Sequence, residues 1–321
     1  MPTVAHKVKS HPRPACGGLC LCALLIAVTI ARVCGAAEND FPEELVSFID
    51  YRANPVFEGA GQGHWDARIR ERGWILKEGD TWRLWYTGYD GTREGQKMLG
   101  LATSSDGLRW TRHSNNPLYT EHWVEDLQVL KRGDTYYVFA EGAQDRAQLL
   151  RSTDGARWER VGPLDVRLKN GEPIPPGPYG TPTALFEDGR CFLYYERGDR
   201  AVWLATSKDM RMWTNVQDEP VLLPGPDSYD RDQIAMNQVI KHGGRYYAYY
   251  HGAAKPPAGE PTFWSSAAAV SNDLIHWKKY DKNPLFPIEQ NKSSGILVHD
   301  GKRFRLYTMH DKVHAHLQRL K

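Results

Sequence analysis

The sequence predicts an all-β protein: a five-bladed β-propeller of four-stranded antiparallel blades, closed by an N-terminal strand. Three observations carry this. The composition is rich in aromatic and turn residues, with 11 Trp, 16 Tyr, 29 Gly and 20 Pro in 321 residues, a mix that favours short strands over long helices. One hairpin pattern recurs five times at a nearly fixed spacing. A fragment near the N-terminus matches the strand that the last repeat lacks.

The first 37 residues stand apart. They carry Lys7, Lys9, Arg13 and Arg32 but no acid, then an apolar run from Leu19 to Ile30 and the small residues Gly35-Ala36-Ala37. This is the pattern of a secretory signal peptide with a basic leader, and it predicts an exported protein, periplasmic or extracellular. The run is short for a bilayer span, so no membrane association is expected after cleavage. Cys16, Cys20, Cys22 and Cys34 leave with the leader. Cys191 remains, without an internal disulfide partner, and is expected to be a buried strand residue. Losing the leader moves the formal charge from +2 to about −2, too balanced for a nucleic-acid partner.

Residues 38–321 read as a single domain. Five hairpins have turn glycines Gly79, Gly133, Gly189, Gly243 and Gly301, spaced 54, 56, 54 and 58 residues apart. Each places an apolar strand before the turn and an aromatic strand after it, as in Trp74–Tyr86 and Gln238–Tyr250. A second hairpin follows in four of them, with a Ser-x-Asp-x-x-x-Trp turn at Ser104, Ser152, Ser207 and Ser271. The Asp is suited to accept backbone N–H bonds and the Trp to cover the blade edge, a structural role. Two hairpins make a four-stranded blade. The fifth repeat has residues for only one further strand. Phe48–Phe57 matches Trp277–Phe286, so the N-terminal segment is expected to supply the outer strand of blade five and remove a free edge.

In such a ring the start of each inner strand and the end of its neighbour share one mouth. Aligning the repeats brings Asp66, Arg68, Arg70 and Glu71 there from blade one, and Glu125, Asp126 and Glu141 from blade two. Blade three adds Tyr179, Thr181, Glu196 and Arg197. Blade four adds Asp232, Gln233, Asn237 and His251, and blade five Ser293, Ser294, His310 and Asp311. Acids, arginines and histidines from five distant segments thus track the repeat frame and mark a binding or catalytic rim.

The repeats resemble those of the five-bladed propeller glycoside hydrolases, families 43, 32, 68, 117 and 130. The resemblance covers residues 45–320 and rests on Trp85-Tyr-Thr-Gly88, Leu101–Trp110 and Asn116-Pro-Leu-Tyr119. It implies that Asp126, with Glu125 as the alternative, is a catalytic or transition-state-stabilising acid, since Val124–Leu130 is similar to the strands that carry one. It places a nucleophile or base near Asp66. The general-acid Glu of families 32 and 43 has no counterpart here: those registers read Gly180-Thr-Pro182 and Ala235-Met-Asn237. Glu196, Glu141 and Asp232 are the candidates to replace it. The expected catalytic set is therefore Asp66, Asp126, Glu125 and Glu196. Arg68, Arg70, Glu141, Tyr179, Arg197, Asp232, Asn237, His251 and His310 are expected to bind substrate, and Trp65 and Trp123 to offer stacking faces.

Glycosidic cleavage needs one carboxylic acid and one carboxylate, and this rim offers several of each. The function expected is a glycosidase acting on poly- or oligosaccharides, as a monomer without cofactor. No His/Cys spacing suits a transition metal. Two alternatives stand beside it: a non-catalytic carbohydrate-binding propeller, and a phosphorylase using one Asp and inorganic phosphate.

Overall fold

The structure, a computed structural model, describes residues 40–319; the expected leader and its cleavage site lie outside them. Five antiparallel sheets form the propeller. Their inner strands are Arg68–Glu78, Glu125–Arg132, Gly180–Glu187, Gln233–His242 and Ile296–His299. The second and third strands follow in each blade, and the outer strands are short, as at Thr111–Arg112 and Trp277–Lys279. Blade three gains a fifth strand, Asp165–Arg167, which pairs parallel to Met212–Asn215. No helix among the described residues is long and apolar enough to cross a membrane.

The repeated turn motif acts as the sequence implies. Asp106 Oδ1 accepts the N–H groups of Leu108 and Arg109 at 2.8 Å, and Ser104 Oγ accepts that of Gly107 at 2.9 Å. The same pattern recurs at Ser152, Ser207 and Ser271. These backbone hydrogen bonds hold the carboxylate of Asp154 below the usual range. At Asp273 burial works against them, and the bonds from His276 and Ile275 outweigh it. Trp213 is fully buried beneath its turn. Cys191 is buried too, and burial raises its thiol pKa.

The ring closes through the N-terminal segment. Phe48–Asp50 pairs antiparallel with His316–Gln318 of the last strand. Asn54 then clamps that strand, accepting the Ala315 N–H at 2.8 Å and donating to the Ala315 carbonyl at 2.9 Å. Asn116 does the same to Leu101 in blade one, and Asn283 to Ala268 in blade four. The shared Asn-Pro motif is thus a side chain standing in for a strand partner. Phe41 and Leu45 extend the closure into a core cluster with Tyr247, Tyr249 and Leu306. Deleting residues 38–57 should therefore lower the melting temperature by at least ~10 °C, since it exposes an edge and removes core side chains. An unchanged melting curve would contradict closure by this segment.

Candidate functional site

The mouth of the channel is shaped by a repeated irregularity. In blades one to four the inner strand is bulged near its start. Glu71 (φ 55°), Asp126 (φ 45°) and Thr181 (φ 42°) adopt left-handed conformations there, as does Ser294 (φ 51°) just ahead of the blade-five inner strand. A bulge re-aims a side chain, and strain of this kind concentrates at functional sites.

Below the mouth, Arg72 fills the channel. It is fully buried. Its guanidinium donates to Thr183 Oγ1 (2.5 Å), to the carbonyls of Pro182 (2.8 Å), Asn237 (2.8 Å) and Met236 (3.2 Å), and to that of Asp126. Four blades are tied to one side chain. Burial lowers its pKa to about 10, which leaves it charged at neutral pH.

Above Arg72 lies a cavity of about 210 Å³ lined by seven carboxylates: Glu71, Glu125, Asp126, Glu141, Asp145, Glu196 and Asp199. Arg70, His251, Thr181, Trp264, Ser293 and Ser294 share the lining. The acids are not equivalent. Burial would raise Glu71, but the hydrogen bond and charge of His310 (3.1 Å) and the charge of Arg70 outweigh it and hold Glu71 below the usual range. Burial raises Glu196 to about 7, with the Asp199 charge adding to it. Burial also raises Asp126 and Glu141 well above the ordinary range, reinforced by neighbouring carboxylates. Glu125, ion-paired to Arg70, is raised as well because burial exceeds the effect of the pair. Burial lowers His251 to about 4, so it is neutral at pH 7 and donates from Nδ1 to Asn237 Oδ1 at 2.8 Å. The buried hydroxyls of Ser293 and Ser294 have no hydrogen-bond partner among the described residues.

The blade-three register that carries no Glu is nevertheless occupied by carboxylates. Glu196, paired across the ladder with Gly180, accepts the Gly180 N–H at 2.9 Å and the Asp199 N–H at 2.5 Å. Glu141 reaches over from blade two to accept the Thr181 N–H at 3.0 Å. A Cβ on Gly180 would sit 2.5 Å from Glu196 Oε1 and closer still to Glu141 Oε2. The missing side chain is what admits both acids.

No family model matches the chain. Among curated proteins, an uncharacterized protein of Mycobacterium tuberculosis is 24% identical over 223 residues, spanning 64% of this chain and 74% of that protein. Solved structures share the architecture over most of the chain. A candidate glycosidase from Bacteroides thetaiotaomicron has a TM-score of 0.72, covering 88% of this chain and 100% of its own at 18% identity. β-1,2-Mannobiose phosphorylase from Listeria innocua, in complex with β-1,2-mannobiose, has 0.61 over 85% and 97% at 16% identity. An α-L-arabinofuranosidase from Podospora anserina has 0.56 over 82% and 94% at 12% identity. This chain has their five-bladed propeller fold.

Within that propeller, the sequence-predicted residues divide. Arg70, Glu125, Asp126, Glu141, Glu196 and His251 line the cavity. His310 and Asn237 stand directly behind it, through Glu71 and His251. Six others do not reach it. Asp66 is turned into the interior of blade one, where it accepts hydrogen bonds from Tyr86 Oη (2.9 Å) and Arg112 Nε (2.7 Å); Glu71 is the blade-one acid at the cavity instead. Arg68 is exposed and runs beside Gly91. Tyr179 is buried, its hydroxyl donating to the Leu164 carbonyl at 3.0 Å. Arg197 is tethered to the Pro175 carbonyl at 2.7 Å and faces a different cavity. Asp232 pairs with Arg231 and caps the Lys255 N–H. Trp65 packs on Tyr86.

Asp145, Asp199, Trp264 and Arg72 were missed. The two aspartates share a signal: each follows the glutamate ending a second strand, in Glu141-Gly-Ala-Gln-Asp145 and Glu196-Arg-Gly-Asp199, and each is left-handed (φ 53° and 57°). Extending the repeat alignment past the strand end exposes the pair.

Proposed function

We propose that this protein is a glycoside hydrolase, with Glu196 as general acid and Glu71 as the ionised carboxylate. What supports it is the opposed surroundings of acids lining one cavity: His310 and Arg70 hold Glu71 down, while burial and Asp199 push Glu196 up. Two carboxyls whose surroundings drive their proton affinities apart are suited to acid and base roles. Glu196 would protonate the glycosidic oxygen as the C–O bond breaks, and Glu71 would supply the negative charge at the anomeric carbon, as nucleophile or through a water. Asp126, whose carboxyl burial pushes well above the ordinary range, and the unpartnered hydroxyls of Ser293 and Ser294 suit a polyhydroxylated ligand. Arg70, the arginine lining the cavity, is already paired with Glu125 and Glu71, which leaves no free guanidinium among the lining residues for a phosphate dianion and argues for hydrolysis over phosphorolysis.

The test is the pH profile of kcat/KM on arabino-, xylo-, galacto- and manno-oligosaccharides, with and without inorganic phosphate. Glu196 must keep its proton to act, and its folded pKa is raised, so activity should hold through mildly acidic pH and fall as pH rises through about 7. Glu196→Gln should lose that alkaline limb, and added phosphate should change nothing. Binding without turnover across the panel would favour the carbohydrate-binding alternative, and turnover that requires phosphate the phosphorylase.

A further inference from the structure

A second cavity, of about 550 Å³, opens on the other side of the blade-two mouth. Trp123, Gly142 and Arg146 line it, while their chain neighbours Glu125, Glu141 and Asp145 line the first. The two are also joined by hydrogen bonds. Trp123 Nε1 donates to Glu125 Oε2 at 2.7 Å. Gln148, which is buried, donates to the Trp123 carbonyl at 2.5 Å and accepts from Arg160 Nε at 2.8 Å. One buried amide therefore ties the Trp123 backbone to the Arg160 guanidinium in the second cavity. Lys97, also buried, lies 4.3 Å over the Trp123 ring and steadies it. Arg146 and Arg160 are exposed, and neither forms an ion pair among the described residues. Glu94 and Glu121 share the lining but are exposed and solvated.

We propose that this cavity is the adjoining subsite of one glycan groove and takes a sugar bearing an acidic substituent, a carboxylate or a sulfate, held by Arg146 and Arg160. This rests on the hydrolase reading. Trp123 offers an apolar face for a sugar ring, and Arg160, fixed through Nε, has its two terminal nitrogens free for a planar oxyanion. Arg70, the arginine lining the first cavity, is already paired with Glu125 and Glu71, so the unpaired guanidiniums that an anionic glycan unit would meet are those next door.

The test is calorimetric titration of the Glu196→Gln protein with trigalacturonate and its carboxyl-reduced twin, and with a sulfated galactan trisaccharide and its desulfated twin. At least one acidic sugar should bind about tenfold more tightly than its neutral twin, the ratio expected of a charge-assisted bidentate contact. Which pair shows it identifies the substituent. In a protein that also carries Arg146→Gln and Arg160→Gln the preference should vanish while neutral sugars bind as before. No preference in either pair, or a preference that survives the double replacement, would overturn the subsite. Turnover by the wild type is scored separately. Acidic preference without turnover would sink the hydrolase reading alone, and hydrolysis of neutral glycans without acidic preference would sink the subsite alone.

Discussion

Glu71→Gln should fold like the parent protein and hydrolyse glycosides roughly 10²–10⁴-fold more slowly, the range for loss of one acid–base group. The replacement keeps the shape of a partly exposed side chain but removes the charge that pairs with His310 and Arg70, so melting should fall modestly while the fold is retained. The loss should be the same for oligosaccharides and for aryl glycosides, because the charge at the anomeric carbon is needed whatever leaves. Glu196→Gln should behave differently. It should cost as much on oligosaccharides, yet aryl glycosides with acidic leaving groups should be largely spared, since they depart without a proton. Measuring kcat/KM for both variants against a graded leaving-group series separates the two roles. Glu71→Gln retaining a tenth or more of wild-type turnover would remove it from the reaction, and equal leaving-group dependence in the two variants would undo the assignment of the acid.

The second large effect is structural. Arg72→Met should cost more than ~5 kcal/mol and leave little folded protein. The substitution removes the guanidinium donors to the carbonyls of Asp126, Pro182 and Asn237, while the Met236 carbonyl keeps Thr183 Oγ1, and each buried carbonyl left unpaired costs about 1–3 kcal/mol. It also takes away a buried guanidinium that offsets the acids above it. Arg72→Lys keeps the charge but not the fork, and should fall between the two. Chemical denaturation is the measurement. A midpoint for Arg72→Met close to that of the wild type would show that the blades hold together without their central tie.

The blades were legible in the sequence because their logic is local. Each Gly turn, each Ser-x-Asp turn and each Asn-Pro clamp is written within a dozen residues, and the match of Phe48–Phe57 to Trp277–Phe286 carried the closure. The site was legible only as far as that frame extends. Glu125, Asp126, Glu141 and Glu196 fall out of the alignment because they start or end strands. Asp66 does too, by position, but Arg112 from the outer strand of its own blade draws it inward, an interaction no repeat pattern encodes. The exchange of Asp66 for Glu71 turns on the bulge between Arg70 and Trp74, whose two extra residues leave the alternation of the strand in phase and so do not show in the hydrophobic pattern. Arg72 was hidden for the opposite reason: as a basic residue in an apolar strand it looks like a surface interruption, and only the assembled ring shows it buried among the inner strands of three other blades.

The clamp between Asn54 and Ala315 joins positions separated by 261 residues. During synthesis, the first folded segment of the chain must wait for almost the last one before its backbone groups are paired. Bringing two such distant points together carries an entropic cost of about 5 kcal/mol by simple loop-closure arithmetic, and contacts of this range slow folding. A chain truncated near its C-terminus would thus lose more than its own final strand. It would release the opening strand as well, leaving two sticky edges from opposite ends of one polypeptide, and neighbouring molecules could satisfy them by exchanging strands.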